Sequence, residues 1–567
     1  MKIFRREQPK KMTWRHNVLN VFSLMILLWG LGGVDVFLLR DILLLFVVGI
    51  TAVLINLPIT RWLGMSNYHW VNTVWSFVVV ITIITLFLFV IPPFSISRQT
   101  TYLTEPRSTE FYGIDYLAAI EKRIEPANPP EDNGFRLLLE KFGRPLLGQY
   151  FKDEHWNRLC TKLKLPVQIE PELSFITWWS FVAMLPDEER KRVNSQPTGD
   201  ILLPWSEEVL PIVKSWLEQN EKPFELFVEA IHKPVFYTPP RCDDILSQSV
   251  FLEKIVRALS GELGIRIRYR LAIGEVAAAW DDVMLQFRLV EMRRPMIWNT
   301  TLLLVNRALL RGAAQSAESV LFYGNLNNSD VRQKILEMTP FLRHLTETEI
   351  KFAFLGSRFI YLDMIRKLSS GTWAADDFIH TFPKTKSNDF NRFIERQMFR
   401  ISRWEDSMKD INQSFDEIDE KGFEIIATTK FPSNRKHRFL KLVLWSGILK
   451  AIPNIMVALC LNNESLFDSI QRLETNIAFT RLIFALELYR REHNDKMYPE
   501  SLKQLRNDFI DGIPVDPFSK QPFRYVLDND KRGCLIYSVG TNGVDENGRG
   551  WNETPRGDDI RRYLPPK

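Results

Sequence analysis

Cysteine is scarce: Cys160, Cys242, Cys460 and Cys534 are the only four in a chain of 567 residues, and they lie far apart. No Cys-x-x-Cys pair occurs, which excludes a zinc knuckle or a thioredoxin-type site on spacing. Free thiols are the plain reading; two disulfides are the alternative outside the cytoplasm. Glycine is low at 26, and charged residues make up 25%, a profile of helices rather than of a β-barrel or a disordered chain. The eight histidines are scattered, with no pair at helical ligand spacing. A Walker-type glycine loop, a His-Glu-x-x-His pair and a Gly-x-Ser-x-Gly elbow are all missing. No catalytic residue and no organic cofactor are therefore assigned. The net charge of +5 is local, because Lys2, Arg5, Arg6, Lys10, Lys11 and Arg15 precede the first apolar run against Glu7 alone. The remainder is near neutral. Nucleic acid is not an expected partner, since phosphate binding needs a clustered basic face.

Long apolar runs, in contrast, are plentiful at the start. Residues 17–39, 42–60 and 71–91 each suffice to cross a hydrocarbon core of about 30 Å, and Pro92-Pro93 ends the last. Asp35 lies near the end of the first run, where it reaches the interface. No small-x-small cleavage site follows a short apolar core, so a removable signal peptide fits badly. The basic tail predicts a cytoplasmic N-terminus, and three crossings then place everything after Pro93 outside the cytoplasm. Two crossings would leave it inside. The lipid bilayer is thus one expected partner, and the bacterial inner membrane the expected location.

Residues 96–465 read as a large α-helical domain. Apolar residues recur with a period near 3.6 over 112–123, 135–142, 156–163 and 175–185, with a helical hairpin over 210–219 and 223–232. The longest unbroken helical pattern runs from 246 to 323. Within it, Gly274-Glu275 opens the second helix of another hairpin, resembling one tetratricopeptide unit without a recurring period. Packed α-hairpins describe this part best. Residues 440–461 are apolar but carry Lys441, Lys450 and Pro453, which predicts a buried or interfacial helix. Trp178-Trp179 mark either core or a ligand groove. Asp281-Asp282 and Asp376-Asp377 are adjacent carboxylates on helices. Either a solvated face or the acid/base pair of a hydrolase acting on envelope polymers would use them.

Residues 466–567 change character. A helix over 473–492 leads to Tyr498-Pro-Glu-Ser-Leu502, which starts a second short helix, to Ile513-Pro-Val-Asp-Pro-Phe518, and to two predicted strands, 523–527 and 534–539. The turn Asp528-Asn-Asp-Lys-Arg-Gly533 mimics the start of an EF-hand loop, but Val539 occupies the twelfth position, where a carboxylate is required. Then follow Tyr537-Ser-Val-Gly-Thr-Asn-Gly-Val-Asp-Glu-Asn-Gly548 and Gly557-Asp-Asp-Ile560.

This order of motifs resembles the C-terminal half of the major pseudopilin of type II secretion systems, over roughly one sixth of the chain. The resemblance implies a small α+β module with a short antiparallel sheet and a loop that binds calcium. Asn542, Asp545, Asp558 and Asp559 are the ligands it implies, Asp559 matching the family's final ligand. Asn542-Gly543 stands where that family usually has Asp-Gly, and its Gly-Phe-Thr-Leu-Ile-Glu leader does not occur. The whole chain also resembles a set of large bacterial membrane proteins carrying this module as a tail, on Ser215-Trp-Leu-Glu-Gln-Asn220, Lys233-Pro-Val-Phe-Tyr237 and Ala272-Ile-Gly-Glu275. No activity comes with that resemblance. The expectation is a mainly α protein in three parts: a tail with transmembrane helices over 1–95, the α-hairpin domain over 96–465, and the pseudopilin-like module over 466–567. Its expected role is non-enzymatic binding or scaffolding of proteins in the cell envelope, linked to secretion machinery.

Overall fold

The computed structural model describes residues 94–109, 112–128, 130–147, 153–196, 202–240, 253–370, 404–421, 463–493, 495–505 and 512–566. The three apolar stretches expected to span a membrane lie outside these residues, as do 440–461 and Asp376-Asp377. Among the described residues, no helix is long and apolar enough to cross a membrane. The fold is mainly helical, with one three-stranded antiparallel sheet. Two compact units divide it.

The larger unit contains residues 116–360, 418–421 and 463–566. It begins with short amphipathic helices, α1 (Tyr116–Ile124), α2 (Gly134–Phe142) and α3 (Asp153–Leu163). Asn133 caps α2 by accepting from the Phe135 N–H at 3.0 Å, while its amide donates to the Tyr237 carbonyl at 2.8 Å. Two brief helices follow, α4 (Trp178–Met184) and α5 (Asp187–Asn194). Trp178 is core, packed on Trp205 and Trp216, whereas Trp179 is 76% exposed. Helices α6 (Leu210–Gln219) and α7 (Glu221–His232) form the expected hairpin. Buried Asn220 makes the corner, donating to the Trp216 carbonyl at 2.9 Å and accepting from the Ile176 N–H at 3.0 Å.

Three long helices carry the core: α8 (Glu253–Ala272), α9 (Val276–Met292) and α10 (Thr300–Tyr323). Gly274, at φ +83°, turns α8 into α9. The pair is clamped by Asp282, 1% exposed, which accepts from Arg266 at 2.9 and 2.5 Å and lies 2.8 Å from Arg270. Helix α11 (Asn328–Met338) starts from a capping box between Asn327 and Asp330. Helix α12 (Glu347–Ser369) crosses the Trp298 backbone at Gly356, where any side chain would collide with that carbonyl.

The smaller unit gathers residues 94–115, 361–370 and 404–417. Helix α13 (Trp404–Lys421) places Asn412 so that its amide donates to the Gln99 and Thr100 carbonyls at 2.9 and 2.8 Å. Asp363 is buried between Arg366 at 2.7 Å and Lys367 at 3.1 Å.

The thirty-residue helix α14 (Asn463–Glu492) belongs to the larger unit and packs on α10 and α11. Ala313, Ala314 and Ala317 of α10 are fully or almost fully buried, as are Leu482, Ile483 and Leu486 of α14, and the small side chains leave room for the two helices to pack. Polar pairs punctuate this seam: Arg307 meets Glu474, and Thr480 donates to Glu318. Beyond the end of the seam, Arg491 donates to the Leu321 and Leu326 carbonyls at 3.0 and 2.6 Å, a cation placed at the C-terminus of α10. Among the described residues Cys160 and Cys534 are buried free thiols.

Glu262 of α8 gives this unit a pH dependence. It is 5% exposed and, among the described residues, accepts from the Trp178 N–H alone, at 3.1 and 3.3 Å, so burial pushes its pKa up to about 7. The folded state therefore keeps a proton there that the unfolded chain releases at lower pH. That contribution is full below the ordinary carboxylate range and is lost as the pH rises through about 7. Glu262→Gln retains the acceptor and removes the titration. Urea denaturation at pH 5 and pH 8 is expected to show the variant gaining on the parent by about 3 kcal/mol at the higher pH. Parallel pH profiles would contradict this assignment.

Candidate functional site

The site is built on the sheet that α14 carries. Strands β1 (Arg524–Leu527), β2 (Cys534–Ser538) and β3 (Ile560–Leu564) pair antiparallel in that order. The EF-hand-like stretch is the β1–β2 hairpin turn, closed by the Asp528 N–H on the Gly533 carbonyl at 2.9 Å. Ser538 pairs with Ile560, so residues 539–559 form a closed loop between β2 and β3.

Asp516 anchors the loop's entry. It is 1% exposed and accepts four hydrogen bonds: from the Phe518 N–H at 3.0 Å, the Ser519 hydroxyl at 2.9 Å, the Ser538 hydroxyl at 2.7 Å and the Val539 N–H at 3.4 Å. The Ile-Pro-Val-Asp-Pro-Phe segment thus ties the end of β2 in place. Gly540 follows at φ +64°, its Cβ direction filled by the Asp558 backbone and carboxylate. No other residue allows that approach, which seats Asp558 against the start of the loop.

Within the curl, Glu546, Asp558 and Asp559 each offer a carboxylate oxygen, and these oxygens lie within 4.8 Å of one another. Asp559 Oδ2 accepts from the Glu546 and Gly548 N–H groups at 3.2 and 2.7 Å. Asp558 Oδ2 accepts from the Asn542 N–H at 3.0 Å and lies 3.8 Å from Arg472 of α14. In both aspartates the other oxygen, Oδ1, is buried without a hydrogen-bond partner. Burial raises the Asp559 pKa to about 6, and the adjacent Glu546 carboxylate adds to the rise.

Of the four residues expected as ligands, the structure brings together Asp558 and Asp559. Asp545 turns the other way, accepting from Arg524, Tyr537 and the Asn547 N–H, each at 3.0 Å. Burial raises its pKa, but these donors outweigh that and hold it below the usual carboxylate value. Asn542 sits at the mouth, its amide donating to Glu546 at 2.6 Å and its oxygen accepting from the Val544 N–H at 2.6 Å. Glu546, next to Asp545 in sequence, takes the inward place. The Val-Asp-Glu-Asn-Gly run offers two neighbouring carboxylates, and only the path of the curl decides which points in.

No family model, curated protein or solved structure matches the chain. The reading of the site therefore stands on its geometry and on the motifs of its sequence.

Asp516→Ala would leave two hydroxyls and two N–H groups without their acceptor. Urea denaturation is expected to show a loss of about 3 kcal/mol, with Asp516→Asn losing less because it keeps one acceptor oxygen. A change within experimental error for the alanine variant would contradict the anchoring role.

Proposed function

We propose that this protein is a membrane-anchored protein of the bacterial envelope with a non-enzymatic binding or scaffolding role, and that its C-terminal loop holds calcium. In this reading residues 17–39, 42–60 and 71–91 span the inner membrane. The helical hairpins and the pseudopilin-like module stand outside the cytoplasm and engage envelope proteins, among them secretion machinery.

The observation that carries the calcium reading is the pair of buried, unpartnered Oδ1 atoms of Asp558 and Asp559 beside Glu546. Carboxylates gathered this closely repel one another unless a proton or a cation lies among them. Calcium binds oxygens at 2.3–2.6 Å, so two of its ligands stand at most about 5 Å apart. A mutual separation within 4.8 Å fits that limit. The donor set is all oxygen, as a hard cation requires. Glu546, Asp558 and Asp559 would hold the ion, which would neutralise the cluster and tie β3 to the start of the loop. Arg472, 3.8 Å from Asp558, supplies part of the compensation already and tempers the affinity.

A hydrolase acting through paired carboxylates has less support. Asp282 of the Asp281-Asp282 pair is engaged by two arginines inside the helix pair, the arrangement of a structural clamp rather than of a proton donor.

Calcium is expected to raise the melting temperature of the full-length protein, with a stabilisation of about 2.7 kcal/mol at a hundred times its dissociation constant. Asp559→Asn keeps the acceptor for the two N–H groups and should abolish the calcium shift. Asp545→Asn should preserve it, since that side chain faces Arg524 and Tyr537. No shift in the parent at millimolar calcium would contradict the proposal.

A further inference from the structure

A cleft of about 1260 Å³ opens in the larger unit between the α6–α7 hairpin and the α8–α9 pair. Its volume exceeds the range of roughly 300–1,000 Å³ usual for small-molecule pockets. Half-buried apolar side chains line it, among them Leu217, Val228, Tyr269, Met284, Met292 and Phe341. The two methionines are unbranched and polarizable, and they adapt to differing apolar partners.

The charge around this lining is unbalanced, with seven carboxylates against four lysines and arginines. Arg266 and Arg270 are both engaged by buried Asp282, at 2.5 and 2.8 Å. Lys214 lies 3.8 Å from Glu218, and Arg288 donates to the His232 carbonyl at 3.2 Å. Glu291 is paired with Arg294 and Arg343 at 3.3 and 3.0 Å. Four exposed carboxylates remain: Glu221, Glu225, Glu275 and Asp281. None of them makes an ion pair or a side-chain hydrogen bond among the described residues. Glu221 and Glu225 are one turn apart on α7 and present their charges along one line of the helix.

We propose that this cleft receives an amphipathic segment of another polypeptide that carries lysine or arginine beside an apolar stripe. The stripe covers Leu217, Tyr269, Met284 and Phe341, and the cations meet Glu221, Glu225, Glu275 and Asp281. This is recognition of a helix in a groove, with the acidic side chains setting the approach rate and the choice of partner. It depends neither on the cation loop nor on the side of the membrane.

The test uses the full-length protein in phosphatidylcholine nanodiscs and a fluorescein-labelled peptide of leucine and lysine, about 14 residues or four turns long, arranged at helical spacing. Fluorescence anisotropy is expected to show saturable binding beyond that of empty nanodiscs, weakening as salt is raised. The double variant Glu221→Lys, Glu225→Lys should bind at least about tenfold more weakly, and Met284→Asp should also weaken binding. Both glutamates are exposed, so an unchanged circular dichroism spectrum is expected; the Glu→Gln pair serves as the milder variant. Binding no stronger than to empty nanodiscs would overturn the proposal. So would equal binding by the charge-reversed protein, or equal binding of a leucine–glutamate peptide.

Discussion

Helix α14 has to be buried on more than one side at once, and the larger unit is arranged around that demand. One side faces α10 and α11, while another supports the sheet, where Phe479 meets Phe523 with ring centres 4.9 Å apart. A helix apolar on most of its circumference is stable only when enclosed. The few polar groups within it therefore need partners in place. Glu474 has Arg307 and His344, Thr480 has Glu318, and Glu487, 0% exposed, has Arg490, Arg491 and the Tyr498 hydroxyl. Stranding one such charge costs several kcal/mol, so these pairs fix how far along α10 and the sheet the helix can sit.

The loop inherits its geometry from the same helix. Arg472 pairs with Asp468 at 2.9 Å, donates to Thr541 at 2.7 Å and faces Asp558, while Asn476 accepts from Arg562 of β3 at 2.7 Å. Gln471 donates to the Pro517 carbonyl at 2.9 Å, next to Asp516. Both ends of the loop thus rest on two turns of α14, and the glycine at 540 closes the remaining gap. The carboxylates of Glu546, Asp558 and Asp559 are brought together by this scaffold and not by their own attraction, which is repulsive.

Much of the helical layout was legible, since amphipathic periodicity is a local property. The spacing over 210–219 coincides with α6, and Gly274-Glu275 does open α9. Among its described residues, the pattern read as unbroken from 246 to 323 holds three α-helices, because Gly274 and the Arg294–Met296 turn interrupt it without a loss of apolar residues. Helix α14 begins at Asn463 rather than near 473, and Leu466, Phe467 and Ile470 already carry its apolar spacing through those first turns. Tyr498-Pro-Glu-Ser-Leu promises a short helix and yields a single turn, Leu502–Gln504, since Tyr498 is drawn inward to Glu487. In the loop, Asp558 and Asp559 could be read from the Gly-Asp-Asp-Ile motif. Glu546 could not, because its inward position depends on the left-handed residues Asn547 and Gly548 that reverse the chain beside it. Asp516 likewise stands in a legible turn with two local donors, Phe518 and Ser519, yet its other two, Ser538 and Val539, come from the distant end of β2.

In the proposed topology, which rests on the basic tail and apolar runs, the larger part of the chain stands outside the cytoplasm, where calcium is abundant enough to occupy a modest site. The loop offers oxygen donors of the right kind and spacing for such an ion. The proposed binding role rests on helices whose buried charges are locked in pairs and whose exposed carboxylates surround an apolar cleft. The calcium reading and the envelope role both turn on the side of the membrane. The decisive measurement fuses, after Lys567, a reporter enzyme active only outside the cytoplasm. The account predicts an active fusion in intact cells; an inactive one, with the fusion protein present at full length, would contradict it.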